Sequence, residues 1–185
     1  MQALSDDLTV ERARKGDPAA FRSLVETHAR DVFRLAFRMT RNEDDAEDVV
    51  QDTFIRAFQR ISSFEGRAQF KTWLYRITAN TALDLLRRRK RAEPRSAPLD
   101  EVTTGVSGGQ ENAVFGRQIR ERVDSALEDL SELERAAFVL RHCEELSLGE
   151  ISHTLDITVN ATKQAIFRAV RKLRASLSTV PRSVT

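Results

Sequence analysis

The chain has 185 residues, 41% hydrophobic and 31% charged, with a formal net charge of +2, enough for one ordinary domain or two small ones. Its one cysteine, Cys143, excludes an internal disulfide and fits a reducing compartment. No apolar run approaches the ~20 residues of a membrane-spanning helix, and the opening MQALSDDLTVERARKGD lacks a signal peptide's apolar stretch, so the sequence reads as a soluble, cytoplasmic protein.

In chain order, Asp17-Pro18 predicts a helix start, with a carboxylate at the N-cap and proline at the first helical position. Behind it Phe21, Leu24, Val25, Val32, Ala36 and Met39 recur at three- and four-residue steps. The next helix opens at Asn42 and is expected to bury Ala46, Val49, Val50, Phe54, Ala57 and Phe58.

The first eleven residues of that second helix, NEDDAEDVVQD, hold six carboxylates, including a D-D-x-x-D. Glu43, Asp44 and Asp45 occupy a first turn, where carboxylates face the positive end of the macrodipole, and Asp45 is placed to reach back to Asn42 as a box-like cap. A magnesium-diphosphate reading would need a second acidic cluster across a deep apolar cavity, and the sequence offers none. Further along, Asp48, Gln51, Asp52, Ile55 and Arg56 lie beside the buried stripe. That mixture of acid, amide, aliphatic and cation suits either a solvated face or one gripped by another protein.

A loop, ISSFEGRAQF, leads to FKTWLYRITANTALDLLRRRKR, a helix from about Thr72 with Leu74, Ile77, Thr81 and Leu85 turned inward. Trp73, Arg76, Asn80 and Arg87 share an adjoining face, a set able to stack on bases, bond their edges and neutralise phosphates of single-stranded nucleic acid. The five cations Arg87 to Arg91 exceed what the end of a helix dipole needs, and phosphate contact is the favoured reading.

From Ala92 to Asn112 the character changes to that of a mobile linker, with two prolines, three glycines and few large apolar groups. Beyond it Ile119, Val123, Ala126, Leu127 and Leu130 form one stripe. SELE at Ser131–Glu134 and SLGE at Ser147–Glu150 are capping boxes that predict two helix starts. LSLGEISHTLDITVNATKQAIFRAVRKLR then reads as a helix-turn-helix. Asp156 takes the left-handed turn position, Ile157 plugs the turn and Thr158 caps the second helix. There Ile166, Val170, Leu173 and Leu177 are expected to be buried. Asn160, Gln164, Arg168 and Arg171, flanked by Lys163 and Phe167, form the opposite face, suited to base edges and phosphates in a major groove. No acidic residue follows Asp156.

The predicted fold is all-α: an N-terminal helical domain over 1–92, a flexible linker over 93–112, and a C-terminal helical domain over 113–185 containing the helix-turn-helix. The polarised charge suggests one partner for the acidic segment and a polyanion for the basic ones. His142, Cys143 and His153 match no standard zinc spacing, so no metal and no cofactor is expected.

DAEDVVQDTFIRAF, F-x-TWLYRITANTALDLLRR and L-x-x-LSELERAAFVLRHCEELSLGEIS, in that order with the helix-turn-helix behind them, resemble bacterial sigma factors of the extracytoplasmic-function (ECF) type. The resemblance spans about Ala19 to Arg174. It implies a non-enzymatic initiation subunit of RNA polymerase, with Asp48, Gln51, Asp52 and Arg56 docking on the β′ clamp helices. A flipped minus-ten base would enter the loop from Ser62 to Gln69, with Ser62, Ser63 and Phe64 as contacts. Trp73, Arg76, Asn80, Arg87 and Arg88 would follow the melted strand. Asn160, Lys163, Gln164, Phe167, Arg168 and Arg171 would read the minus-thirty-five duplex.

The resemblance also implies an anti-sigma factor, often membrane-attached, which would hold the protein at the inner face of the membrane; no stable homo-oligomer is expected. The second domain departs from the family pattern: Asp156 replaces the common glycine, Thr158 the common proline, and NATKQA the usual entry to the recognition helix, which puts Thr162 where a small core aliphatic belongs. The alternative is a free-standing helix-turn-helix regulator, which would need a dimer interface and a palindromic site.

Overall fold

The computed structural model describes residues 2–66, 68–92, 127 and 129–178, and these are helical with no strand among them. The expected tether over 93–112 and the stripe residues Ile119, Val123 and Ala126 lie outside that range. Four helices make the first module: α1 (Gln2–Arg14), α2 (Pro18–Thr40), α3 (Glu43–Arg60) and α4 (Phe70–Ala92). A 3-10 turn, Ile61–Ser63, follows α3. The second module contains α5 (Glu132–His142), α6 (Leu148–Leu155) and α7 (Val159–Ser178).

Local chemistry sets the helix ends. Asp17 Oδ1 accepts from the backbone N–H groups of Ala19 and Ala20, with Pro18 already in helical conformation behind it. Helix α2 stops where Arg41 turns left-handed (φ 62) and its N–H donates back to the Phe37 carbonyl. Asn42 then caps α3 by accepting from the Asp45 N–H at 2.9 Å. The reciprocal half of the expected box does not form, because the Asp45 carboxylate is buried and pairs with Arg89 instead.

Helices α2, α3 and α4 pack pairwise around Leu24, Val32, Ala57 and Leu74, and α1 covers one side of them through Val10 and Ala13. The inner line of α3 is Ala46, Val49, Thr53 and Ala57. Phe58, expected inside, is 60% exposed and meets Phe21 edge-on at 5.0 Å. A small-residue line lets α3 approach its neighbours closely, and Phe58, one step round from Ala57, falls off it. In α4 the buried hydroxyls of Thr78 and Thr81 donate to the Leu74 and Ile77 carbonyls, so neither is an orphan in the core.

Both predicted capping boxes form. Ser131 Oγ accepts from the Glu134 N–H while the Glu134 carboxylate accepts from the Ser131 N–H, and Ser147 and Glu150 repeat the exchange. Asp156 adopts φ 52, ψ 48 with its N–H on the Ser152 carbonyl, and Thr158 Oγ1 accepts from the Ala161 N–H. These contacts produce the tight turn between α6 and α7. A left-handed residue other than glycine is strained by roughly 1–2 kcal/mol, less for aspartate. Part of that gain returns as chain entropy with glycine, so Asp156→Gly is expected to raise stability by about 0.5 kcal/mol in denaturant titration.

The inner line of α7 is Thr162, Ala165, Ala169 and Leu173, while Ile166 and Val170 are half-buried flanks. Of the expected stripe, Leu173 is buried, Ile166 and Val170 lie at its edge, and the Leu177 side chain is outside the described residues. Thr162 does sit in the core, fully buried, with its hydroxyl donating to the Thr158 carbonyl at 3.1 Å.

The modules touch. The linker composition suggested halves at no fixed separation, yet α2 packs on α5, and α4 on α5 and α6. Leu35, Met39, Tyr75 and Leu83 form one apolar cluster with Ala137, Leu140, Ile151 and Leu155.

Candidate protein-binding and nucleic-acid-binding surfaces

Burial of its inner line turns the other side of α3 to solvent. Asp48, Gln51 and Asp52 are exposed, Ile55 is exposed beside them, and Arg56 is half-buried within 3.9 Å of Asp52 and 3.7 Å of Asp84. The first turn divides: Glu43 and Asp44 face water, whereas Asp45 points inward to Arg89 at 2.7 Å. Burial, with help from the Asp48 and Asp44 charges, raises the Asp45 carboxyl above its ordinary range despite the opposing pull of Arg89. The D-D-x-x-D carboxylates therefore do not converge. Nor do the described residues contain any acid, histidine and cysteine group arranged to hold a metal ion.

On the next edge of the bundle, the 3-10 turn leaves Ser62 and Ser63 exposed, with Ser63 Oγ donating to the Arg60 carbonyl at 2.8 Å. Gly66 in left-handed conformation (φ 72) bends the loop back towards α4. Phe64, expected as a contact for the extruded base, packs inward. It is 8% exposed, edge-on to Phe70 at 5.9 Å and against Trp73 at 5.2 Å, so its ring supports the loop from below. Trp73 closes the same aromatic cluster and keeps part of its ring at the surface.

Along α4, Asn80 is half-buried and Arg87 and Arg88 are exposed, with Arg87 at 4.0 Å from Asp84. Arg76 bonds the second module, its Nη1 lying 2.6 Å from His153 Nε2. Of the five consecutive cations, Arg89 is thus committed to Asp45. Sequence reasoning missed that tie, the Arg76–His153 contact and the central carboxylate of Glu134, because pairs distant in sequence leave no local signature.

In the helix-turn-helix, Asn160, Lys163, Gln164, Phe167, Arg168 and Arg171 are all exposed, and Phe167 shows 64% of its surface. They do not form one uniform face. Arg168 is drawn back, its Nε donating to Glu134 Oε1 at 3.0 Å, while Lys172 Nζ donates to Oε2 at 2.8 Å. Lys163, Phe167 and Arg171 instead border a groove of about 590 Å³ that continues to Arg141 and His142. Lys163, Arg171 and Arg141 line it together with the apolar Leu148, Ile166 and Val170. His142 packs its ring on Phe138 at 4.8 Å.

A helical bundle with an acidic outer face and an aromatic-basic edge, followed by a helix-turn-helix, defines the two-module class of the sigma factors. The Sigma-70 region 2 family model matches residues 24–92 and the Sigma-70 region 4 model residues 120–173. The chain is 32% identical over 180 residues to the ECF RNA polymerase sigma factor SigW of Bacillus subtilis, covering 91% of this chain and 94% of that protein. It is 37% identical over 177 residues to the ECF RNA polymerase sigma-E factor of Escherichia coli, covering 91% and 92%.

Among solved structures, CnrH in complex with the cytosolic domain of CnrY superposes with a TM-score of 0.67 at 30% identity, covering 94% of this chain and 97% of that one. The sigma factor RpoE of Bartonella quintana, solved with the anti-sigma factor NepR, shares the fold with a TM-score of 0.64 at 23% identity, covering 86% and 97%. The chain belongs to the ECF family of RNA polymerase sigma factors.

Proposed function

We propose that the chain binds core RNA polymerase through α3 and directs transcription initiation by dividing promoter recognition between its modules. Asp48, Gln51, Asp52 and Arg56 dock on the β′ clamp helices, with Ile55 as the apolar centre of the contact. Ser62 and Ser63 border the entry for an extruded minus-ten base. Trp73, Arg76, Asn80, Arg87 and Arg88 follow the melted strand, where stacking and phosphate contacts offset the cost of unstacking. Asn160, Lys163, Gln164, Phe167 and Arg171 face the minus-thirty-five duplex, and Arg168 joins them on release from Glu134.

The observation that carries this reading is the outer face of α3. Asp48 and Asp52 are exposed away from its buried line, beyond the first turn where carboxylates serve the helix dipole. The domain limits that accompany it are 1–92, 93–112 and 113–185.

No catalytic role is assigned to any residue, and no metal or cofactor. The protein works in the cytoplasm, where an anti-sigma factor withholds it from polymerase; a membrane-attached one would keep it at the inner face of the membrane. The test is reconstitution with core polymerase and selection of transcribed promoters from a random library. Recovered promoters should share two elements in fixed order. Transcription indistinguishable from core polymerase alone would refute the reading.

A further inference from the structure

Glu134 stands where two helices of the second module meet, and it serves both. In the first turn of α5 it closes the capping box, its Oε2 accepting from the Ser131 N–H at 3.0 Å. Arg168 and Lys172 lie four residues apart and so on one face of α7. Each takes one oxygen of the same carboxylate: Arg168 Nε donates to Oε1 at 3.0 Å, and Lys172 Nζ to Oε2 at 2.8 Å. The Glu134 side chain is 6% exposed, and a carboxylate so far from water needs such donors.

The two cations are not held alike. Lys172 has a second acceptor, the Asp129 carbonyl at 3.1 Å. Glu134 is the one partner of Arg168 among the described residues, and that bond runs through Nε. Arg168 is half exposed, and Gln164 one turn before it and Arg171 one turn after it are both open to solvent. When Arg168 swings out, Lys172 and the Ser131 N–H remain on Oε2, so the buried carboxylate is not left bare. One cation is placed to leave and the other to stay.

On leaving, Arg168 gives up an anionic partner, and duplex DNA offers two kinds of replacement. A phosphate exchanges one anion for another with little gain, and phosphates occur all along the duplex. A guanine edge presents paired acceptors to the Nη1–Nη2 fork, and such an edge is found only where the sequence supplies it. We propose that Glu134 is a specificity-determining residue: it withholds Arg168 from the DNA backbone and releases it to a base edge of a matched minus-thirty-five element. Lys163, Gln164 and Arg171 set the register in which that exchange takes place. This rests on the minus-thirty-five role given above to α7.

The test uses holoenzyme reconstituted from the full chain and core polymerase. Its binding is titrated over a range of salt on a labelled promoter recovered in the selection, and on the same promoter with the minus-thirty-five element scrambled. Glu134→Gln keeps an acceptor for the Ser131 N–H and removes the charge. It should tighten binding to the scrambled promoter about tenfold, the lower end for one hydrogen bond to a charged group. The salt dependence there should steepen by about one phosphate contact. The intact promoter should gain less, so discrimination between the two falls. Arg168→Gln should weaken the intact promoter about tenfold and leave the salt dependence on the scrambled one near wild type, whether or not Glu134→Gln folds. The double variant should bind the scrambled promoter as Arg168→Gln alone does.

A Glu134→Gln protein that is folded by circular dichroism, yet keeps wild-type discrimination and salt dependence, overturns the proposal. So does an equal gain from Glu134→Gln in the Arg168→Gln background, which marks a general charge effect. Loss of one phosphate contact on the scrambled promoter in Arg168→Gln overturns it as well. In each of these cases a wild type that transcribes its selected promoters keeps the functional reading. A selection that recovers no promoter removes both.

Discussion

Asp52→Arg is expected to abolish polymerase-dependent transcription while leaving the fold intact. The Asp52 side chain is 53% exposed and its nearest cation, Arg56, stands 3.9 Å away. An exposed pair at that distance contributes at most about 0.5 kcal/mol, and arginine is a good helix former. Thermal unfolding should therefore shift by no more than a degree or two. On the proposed docking face the same change removes an acid from a protein contact and substitutes the opposite charge. Losing one member of a desolvated charge pair costs about 2–5 kcal/mol, so core binding should weaken roughly 30-fold or more. Run-off transcription at limiting sigma measures it. Asp44→Arg is the control: Asp44 is exposed in the first turn of α3, where only a macrodipole contribution of some tenths of a kcal/mol is at stake. Equal damage from both variants would show that general negative charge, not a docking face, is what matters.

Glu134→Ala should destabilise the second module by about 3 kcal/mol, the lower end of the range for breaking a buried charge network. The side chain is 6% exposed and accepts from three donors: the Ser131 N–H, Arg168 Nε and Lys172 Nζ. Its removal undoes half of a capping box and strands two cations, although these are partly exposed and can turn to water. For a module this small, such a loss lowers the unfolding midpoint by about 10 °C or more.

The effect has a pH signature. Burial alone would raise the Glu134 carboxyl, but Lys172, the Ser131 amide and Arg168 outweigh it and hold the group below its ordinary value of 4.5. A carboxylate depressed on folding contributes fully above its unfolded value, and that contribution fades as pH falls through the folded one. The wild type should lose its advantage over Glu134→Ala as pH is lowered from 4.5. A difference that persists unchanged into strong acid would contradict the assignment.

Much of the fold was legible because its signals are local. The Asp17-Pro18 start, the Asn42 cap, the boxes at Ser131 and Ser147, and the turn at Asp156 and Thr158 all involve groups within four residues of each other. The phase of the buried lines was harder. Phe58 and Ile166 fit the apolar periodicity as well as Thr53 and Thr162 do, and the neighbouring helix decides which side is covered. Small residues won those places because they allow close approach. Phe64 followed the same rule in reverse: a loop aromatic beside Phe70 and Trp73 is worth more packed than displayed. The outer faces of α3 and α7 could be read once the helices were placed. Long-range contacts such as Arg76 with His153 and Arg38 with Glu144 could not, because neither partner carries a local mark.

The tie between Asp45 and Arg89 fastens the start of α3 to the far end of α4. With both helices sharing one core, the proposed grip on polymerase and the proposed track for the separated strand are faces of a single stiff body. On that proposal the offset between them acts as a built-in ruler: wherever the enzyme seats this module, the distance from that anchor to the first opened base is already set. A drift in one helix without a matching drift in the other would move the start of the transcription bubble.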